Sequence, residues 1–136
     1  MTEFNWPIRI YYEDTDSGGV VYYANYLKFM ERARTEWLRS LSIEQDELIQ
    51  ETGVIFAVRK VAIEYKIAAR FNDLLMITTN VAKVSGASVE LRQIITKDEK
   101  SIVICEATTK IVSIEAKKFK PCALPEKLKN KIFNKY

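Results

Sequence analysis

Between residues 55 and 115 the chain shows four runs rich in Ile, Val and Thr, at 55–68, 74–84, 87–97 and 101–115, with turn signals at Asn72-Asp73, Ser85-Gly86 and Lys97-Asp98. Runs of this kind, bounded by turn residues, predict strands, because β-branched side chains fit a pleated surface. A parallel crossover needs about a dozen residues and these connections are shorter, so the four strands are expected to be antiparallel neighbours. The Ser85-Gly86 and Lys97 to Lys100 turns are read as hairpins.

Ahead of the four runs the pattern differs. Residues 4–12 (FNWPIRIYY) alternate Ile8, Ile10 and Tyr12 with Arg9 and Tyr11, the period of a half-buried strand that Pro7 can only begin. From about Tyr23 to Ser40 the residues Tyr26, Phe29, Met30, Ala33, Trp37 and Leu41 fall at helical spacing, with Lys28, Glu31, Arg32, Thr35, Glu36 and Arg39 on the other side. Arg32 and Glu36 stand one turn apart and are expected to pair. A second helix is predicted from Ser42 to about Thr52, with Ser42 as N-cap, Gln45 completing a capping box and Gly53 as the stop. Pro121 and Pro125 mark the exit from the last strand, and a short helix follows from about Glu126.

The outline is α+β, with one dominant helix against one sheet. At 136 residues, 48% of them hydrophobic, the chain is expected to be one domain, residues 1–136, with a core of its own. A sheet that covers its helix on one face leaves an edge and an outer face short of cover, so self-association is expected.

What the chain lacks narrows the chemistry. There is no histidine, which removes triads that need an imidazole base and metal sites built on imidazole. Cys105 and Cys122 could form at most one disulfide and share no metal-ligand spacing, so both are read as reduced thiols, Cys105 within a strand. No metal is expected. No apolar run is long enough to span a bilayer, and the acidic start is unlike a signal peptide; a cytoplasmic protein without membrane insertion follows. From Lys117 to Tyr136 seven lysines face one acid, a charge of +6, while the other residues, 14 basic and 17 acidic, carry −3. The C-terminal segment is therefore a basic tail on an acidic body. Such a tail is either simply solvated or drawn to an anionic partner.

Catalysis then falls to carboxylates, hydroxyls, lysine, tyrosine or backbone dipoles, and carboxylates stand together in the turn EDTDSGG, Glu13 to Gly19. Asp14 and Asp16 precede a helix start, where free N–H groups and partial positive charge accumulate. The turn at Gly18-Gly19 lets the chain reverse tightly into that helix. As a calcium loop beginning at Asp14 the run fails, because position 5 is Gly18 and position 12 is Asn25. Asp16-Ser17-Gly18 matches the aspartic-protease triplet, but those enzymes set it after apolar residues in an all-β fold. Asp14 is read as a turn cap, Asp16 as the residue beside the pocket.

The run IYYEDTDSGGVVYYANYLKFMERARTEWLR from Ile10 resembles the signature of the hotdog-fold acyl-CoA thioesterases of the 4-hydroxybenzoyl-CoA thioesterase family, and is closest to its Tol–Pal-associated bacterial branch. The resemblance continues through FAVRKVAIEY (Phe56 to Tyr65) and KPCALPEKL (Lys120 to Leu128) and covers nearly the whole chain. It implies a hotdog fold, an antiparallel sheet wrapped around one long central helix, with paired subunits and the active site between them. It implies acyl-CoA hydrolysis without a bound cofactor, by an aspartate at Asp16 and a helix-start N–H at Tyr23 that polarises the thioester carbonyl. Whether Asp16 attacks the thioester or activates water stays open. The Tol–Pal-associated branch usually has histidine where this chain has Tyr23, whereas the hydroxybenzoyl branch tolerates tyrosine there.

Gly19 is assigned to substrate binding, and Arg59, Lys60 and Lys83 to the phosphates of coenzyme A. Glu31 is a second carboxylate candidate on the helix. The implied assembly is a dimer or tetramer. The alternative reading is a non-catalytic hotdog module that binds acyl-CoA or acyl carrier protein; no nucleic-acid partner is indicated.

Overall fold

The computed structural model of the chain describes residues 3–135; Met1, Thr2 and Tyr136, the last residue of the basic segment, lie outside them. One antiparallel sheet is built from β1 (Phe4–Arg9), β2 (Val54–Tyr65), β3 (Leu74–Val84), β4 (Ser88–Lys97), β5 (Ile102–Glu115) and β6 (Lys120–Pro121), with three helices, α1 (Asn25–Ser40), α2 (Gln45–Thr52) and α3 (Glu126–Lys135). The strand order is β1-β3-β4-β5-β2, with β6 also paired to β5. Bulges between Val58 and Lys60, Val81 and Lys83, and Ile95 and Thr96 bend three of the strands, and the sheet wraps α1.

The β3–β4 and β4–β5 hairpins match expectation, but β2 and β3 are not neighbours. They lie at the two ends of a four-strand span, three strand spacings of ~4.8 Å apart. The eight residues 66–73 between them are long enough to cross it. This crossover is held by Lys66 and Ile67 N–H groups donating to Ile104 O and by Val21 N–H donating to Ala69 O at 2.8 Å.

α1 buries Tyr26, Phe29, Met30, Ala33 and Trp37, the face its spacing predicted, together with Leu38. Its two halves fill two clusters. Tyr26, Phe29, Met30 and Ala33 meet Ile10, Leu75, Ile77, Ile95 and Ile104; Trp37 and Leu38 meet Leu48, Val81, Val89, Leu91 and Ile111. Outside both clusters, the cross-strand pair Thr79 and Gln93 adds buried polar groups beside Ala107 of the first cluster. Gln93 is fully buried; its Nε2 donates to Met30 O at 3.0 Å and Thr79 Oγ1 at 3.1 Å, and its Oε1 accepts from Arg34 Nη1 at 3.1 Å. Burial pulls the Arg34 pKa below its ordinary value, with the charge of Glu31 opposing.

Several local expectations are corrected. β1 stops at Arg9, and the chain passes into a 3-10 turn at Tyr12–Asp14, so Tyr12 leaves the inward face and stacks on Phe71 with ring centroids 3.9 Å apart. Ser42 does not cap α2. It has φ +62°, a left-handed residue that ends α1, and α2 begins at Gln45 after Glu44, with no side-chain cap. Gly53 is the left-handed stop, its N–H bonded to Ile49 O at 2.9 Å. Glu36 pairs with Arg39 rather than Arg32, since Arg39 also reaches Glu44 at 3.0 Å and one guanidinium serves both acids. The basic segment folds back: Cys122 N–H donates to Ser113 O and Leu124 N–H to Gly86 O, and α3 buries Leu128 and Ile132 while Lys127 and Lys131 stay exposed. Cys105 and Cys122 are free, and burial pushes the Cys105 thiol up to about 12.

The Gln93 cluster gives a clear test. Gln93→Leu strands the half-buried Arg34 guanidinium, and unfolding in denaturant should show a loss of about 2–3 kcal/mol. Adding Arg34→Leu to that variant should recover part of the loss.

Candidate active site

The acidic loop is a narrow hairpin leading into α1. Tyr22 N–H donates to Asp14 O at 2.9 Å, Thr15 bridges Val21, and Asp16 N–H donates to Val20 O at 2.9 Å. Its far side is pinned to the crossover through the Val20–Arg70 bridge and the Val21–Ala69 bond. The two aspartates then do different things. Asp14 Oδ2 accepts from Tyr11 N–H at 2.8 Å and caps the 3-10 turn. Asp16 is exposed, and its Oδ1 accepts from Gly18 N–H at 2.8 Å; among the described residues its Oδ2 has no donor. A Cβ at Gly18 would sit 3.1 Å from that Oδ1, close enough that the carboxylate would have to give by a few tenths of an ångström. Gly19 has φ +79°, with nothing within 4 Å of where its Cβ would be.

α1 begins at Asn25, two residues after the expected start, although Ala24 already has helical angles. Asn25 N–H closes a turn onto Tyr22 O at 2.8 Å, and its Nδ2 donates to Asp14 O at 2.9 Å, tying helix start to loop. Among the described residues the N–H groups of Tyr23 and Ala24 donate to no backbone carbonyl. They are the free donors that a helix start offers to an anionic oxygen.

Tyrosines surround this point. Tyr65, the last residue of β2, donates from its hydroxyl to Tyr23 O at 3.3 Å, and its ring meets Tyr23 edge-on and Tyr26 at a tilt. Tyr26 OH accepts from Ala69 N–H at 3.0 Å. Burial raises the pKa of Tyr26, against the pull of the Ala69 bond, and burial raises that of Tyr65, so both phenols stay protonated at neutral pH. Val21, Tyr23, Tyr26, Tyr65, Lys66 and Ile67 line a cavity of about 180 Å3.

Asp16, Gly19 and Tyr23 thus share one hairpin and helix start. The other candidates lie elsewhere. Glu31 accepts from Thr35 Oγ1 at 3.2 Å and lines a 90 Å3 cleft with Arg34, Phe56 and Val58. Arg59 sits at the β2 bulge beside Lys60, six and five residues before Tyr65, or roughly 17–20 Å along the strand. Lys83 lies at the β3 bulge, and Lys60, Lys110, Glu90 and Lys83 form one cross-strand row on the sheet. Sequence reasoning missed Tyr65, Lys66 and Asn25. An asparagine in the first turn of a helix was a legible signal for Asn25; nothing local marks Tyr65, which reaches the loop only through the tertiary fold.

Comparison with known proteins bears on this geometry. Residues 11–132 match the thioesterase-like superfamily. The chain belongs to that family. It is 44% identical over 126 residues to the acyl-CoA thioesterase YbgC of Haemophilus influenzae, covering 93% of this chain and 91% of that protein. It is 45% identical over 127 residues to the acyl-CoA thioester hydrolase YbgC of Escherichia coli, covering 93% of each. Among solved structures, a 1,4-dihydroxy-2-naphthoyl-CoA thioesterase from Synechocystis superposes with a TM-score of 0.90 at 22% identity, over 98% of both chains. At that identity the likeness is one of fold. This thioesterase-like chain has the hotdog fold, an antiparallel sheet around one long helix.

The loop geometry predicts opposite outcomes for two adjacent glycines. Gly19→Ala forces a side chain into left-handed backbone and should cost about 1 kcal/mol in denaturant unfolding. Gly18→Ala should cost less stability, yet shift the Asp16 carboxylate and lower catalytic turnover about tenfold or more.

Proposed function

We propose that this chain is a cytoplasmic acyl-CoA thioesterase, one hotdog domain acting within a homo-oligomer. The carrying observation is the pair of free N–H groups at Tyr23 and Ala24, beside a hairpin that presents Asp16 with one carboxylate oxygen free. The YbgC relatives, named acyl-CoA thioesterases and matching over nine-tenths of the chain, support the same reading.

The thioester carbonyl oxygen lies at the N-terminus of α1, where the Tyr23 N–H donates to it and the helix dipole stabilises the charge that develops. Asp16 either attacks the carbonyl carbon, forming a mixed anhydride that water then hydrolyses to release the acid, or removes a proton from the water that attacks that carbon directly. On either route the carbon–sulfur bond breaks and coenzyme A leaves as a thiolate. A thiolate is a far better leaving group than an alkoxide or amine anion, so a chain without histidine loses little by having no imidazole acid. The donor at Tyr23 is a backbone group, which a tyrosine supplies as well as a histidine. Gly19 leaves room for the substrate to approach the loop. Arg59 and Lys60, exposed on β2, and Lys83 serve the phosphates of coenzyme A bound across the subunit boundary. Two free cysteines suit a reducing compartment, and among the described residues no helix is long and apolar enough to cross a membrane.

The open edge of β2 supports assembly. β1, the other edge, is short and carries Pro7, which blunts it, whereas β2 runs for 12 residues without proline and exposes Val58 (50%) and Val61 (40%). Two β2 edges pairing would join two sheets into a dimer, and dimers into a tetramer. Sedimentation at micromolar concentration should show a dimer or larger; a stable, active monomer would overturn this assembly and a site shared between subunits.

Thiol release from a panel of short, long and aromatic acyl-CoAs is the direct test of activity, and it also reads the acyl preference. Binding without release across the panel would favour a non-catalytic module for acyl-CoA or acyl carrier protein. On the best substrate, Asp16→Asn should lower kcat by roughly two to four orders of magnitude with affinity largely kept. Asp14→Asn, two residues away, should act on stability more than turnover. Near-normal turnover in Asp16→Asn combined with its loss in Glu31→Gln would move the catalytic carboxylate to α1.

A further inference from the structure

The turn from β5 into β6 presents Lys117, Lys118, Phe119 and Lys120, all exposed, Phe119 by 67%. Phe119 has φ +53°, the left-handed region that bulky side chains avoid. Its N–H donates to Glu115 O at 2.8 Å, and the Glu115 carboxylate accepts from the Lys118 N–H at 3.2 Å. A tight turn that closes on a left-handed residue just before the return strand ordinarily has glycine there. Here the chain carries both a strained backbone and a ring held in water, and among the described residues no aromatic partner packs on that ring. Neither feature helps the fold, which points to a task outside it.

We propose that this hairpin tip attaches the protein to an anionic lipid surface, with Phe119 at headgroup level and Lys117, Lys118 and Lys120 against lipid phosphates. The shape of the tip favours a bilayer over a protein partner. A stable protein interface buries about 800 Å2 on each side, far more than four residues on a convex turn can supply, whereas a bilayer interface accepts a single aromatic ring and draws nearby lysines by its surface potential. The segment from Lys117 to Tyr136 carries +6 against −3 for the rest of the chain, so it is the part of the chain that a negative surface attracts. α3 adds exposed Lys127 and Lys131 and a second exposed ring, Phe133. Attachment is peripheral, reversible and weakened by salt.

The test is co-sedimentation of the full chain with vesicles of neutral phosphatidylcholine or of phosphatidylcholine with about one-third phosphatidylglycerol. The protein should pellet with the anionic vesicles at low salt and not with the neutral ones. Phe119→Gly removes the ring and relieves the backbone, so it should bind about tenfold more weakly while melting at the same temperature or higher, a combination that misfolding cannot produce. Changing Lys117, Lys118 and Lys120 together to Gln should weaken binding about a hundredfold, some fivefold for each lysine. Failure of the unaltered chain to pellet with anionic vesicles, equal pelleting with neutral ones, or full binding by Phe119→Gly would each overturn the proposal. So would capture of an acidic carrier protein through these four residues with no vesicle binding. Hydrolysis of acyl-CoA in free solution should be unchanged in Phe119→Gly, so the outcome is independent of the proposed catalysis.

Discussion

The position of α1 within the curled sheet depends on one buried amide. Gln93 joins the helix backbone at Met30 O, the helix side chain Arg34 and the neighbouring strand at Thr79, all within 3.1 Å. Apolar packing alone is tolerant of a helix sliding along its axis, because Leu, Ile and Phe contacts are not directional. A hydrogen-bonded group with no access to water is not tolerant, since a shift strands a donor or acceptor in the core. The polar pair Thr79–Gln93 belongs to neither apolar cluster of the core, and its bonds to Met30 O and Arg34 fix the register of the helix against them.

The placement of the candidate site follows from that anchoring. With α1 fixed, its N-terminus stands beside the acidic hairpin, and Asn25 bonds the two through Asp14 O. The crossover closes the other side, through Ala69 to Val21 and to the Tyr26 hydroxyl. Two aspartates with identical chemistry are thereby given different tasks. Asp14 is engaged with Tyr11 and the 3-10 turn, while Asp16 is held by one oxygen and offers the other. The difference lies in the backbone around them.

The edges and ends of the fold show a second division. β1 is short and interrupted by proline, whereas β2 is long, uninterrupted and exposes two valines. The C-terminal segment combines two roles along its length: Leu124, Leu128 and Ile132 complete the core, and lysines and two phenylalanines face outward.

The sequence by itself determined the elements and the family. Periods of two and 3.6 residues are imposed by local backbone geometry, so β3, the buried face of α1, both hairpins and the Gly53 stop were legible in residue order. The long motif from Ile10 carried the resemblance, and it named Asp16 and Tyr23 on one loop and helix start, with Gly19 in the turn between them. Local competition misled it at Ser42, whose composition suits an N-cap but whose backbone ends the preceding helix, and at Arg39, which outcompeted Arg32 for Glu36 by serving two acids at once. Only the tertiary structure decided that β2 lies beyond β5, that Tyr65 reaches Tyr23, that Gln93 sits under α1, and that Arg59 and Lys60 stand far along β2 from the helix start. These are contacts between residues tens of positions apart. No local pattern encodes them, because they depend on where the crossover of residues 66–73 carries the chain.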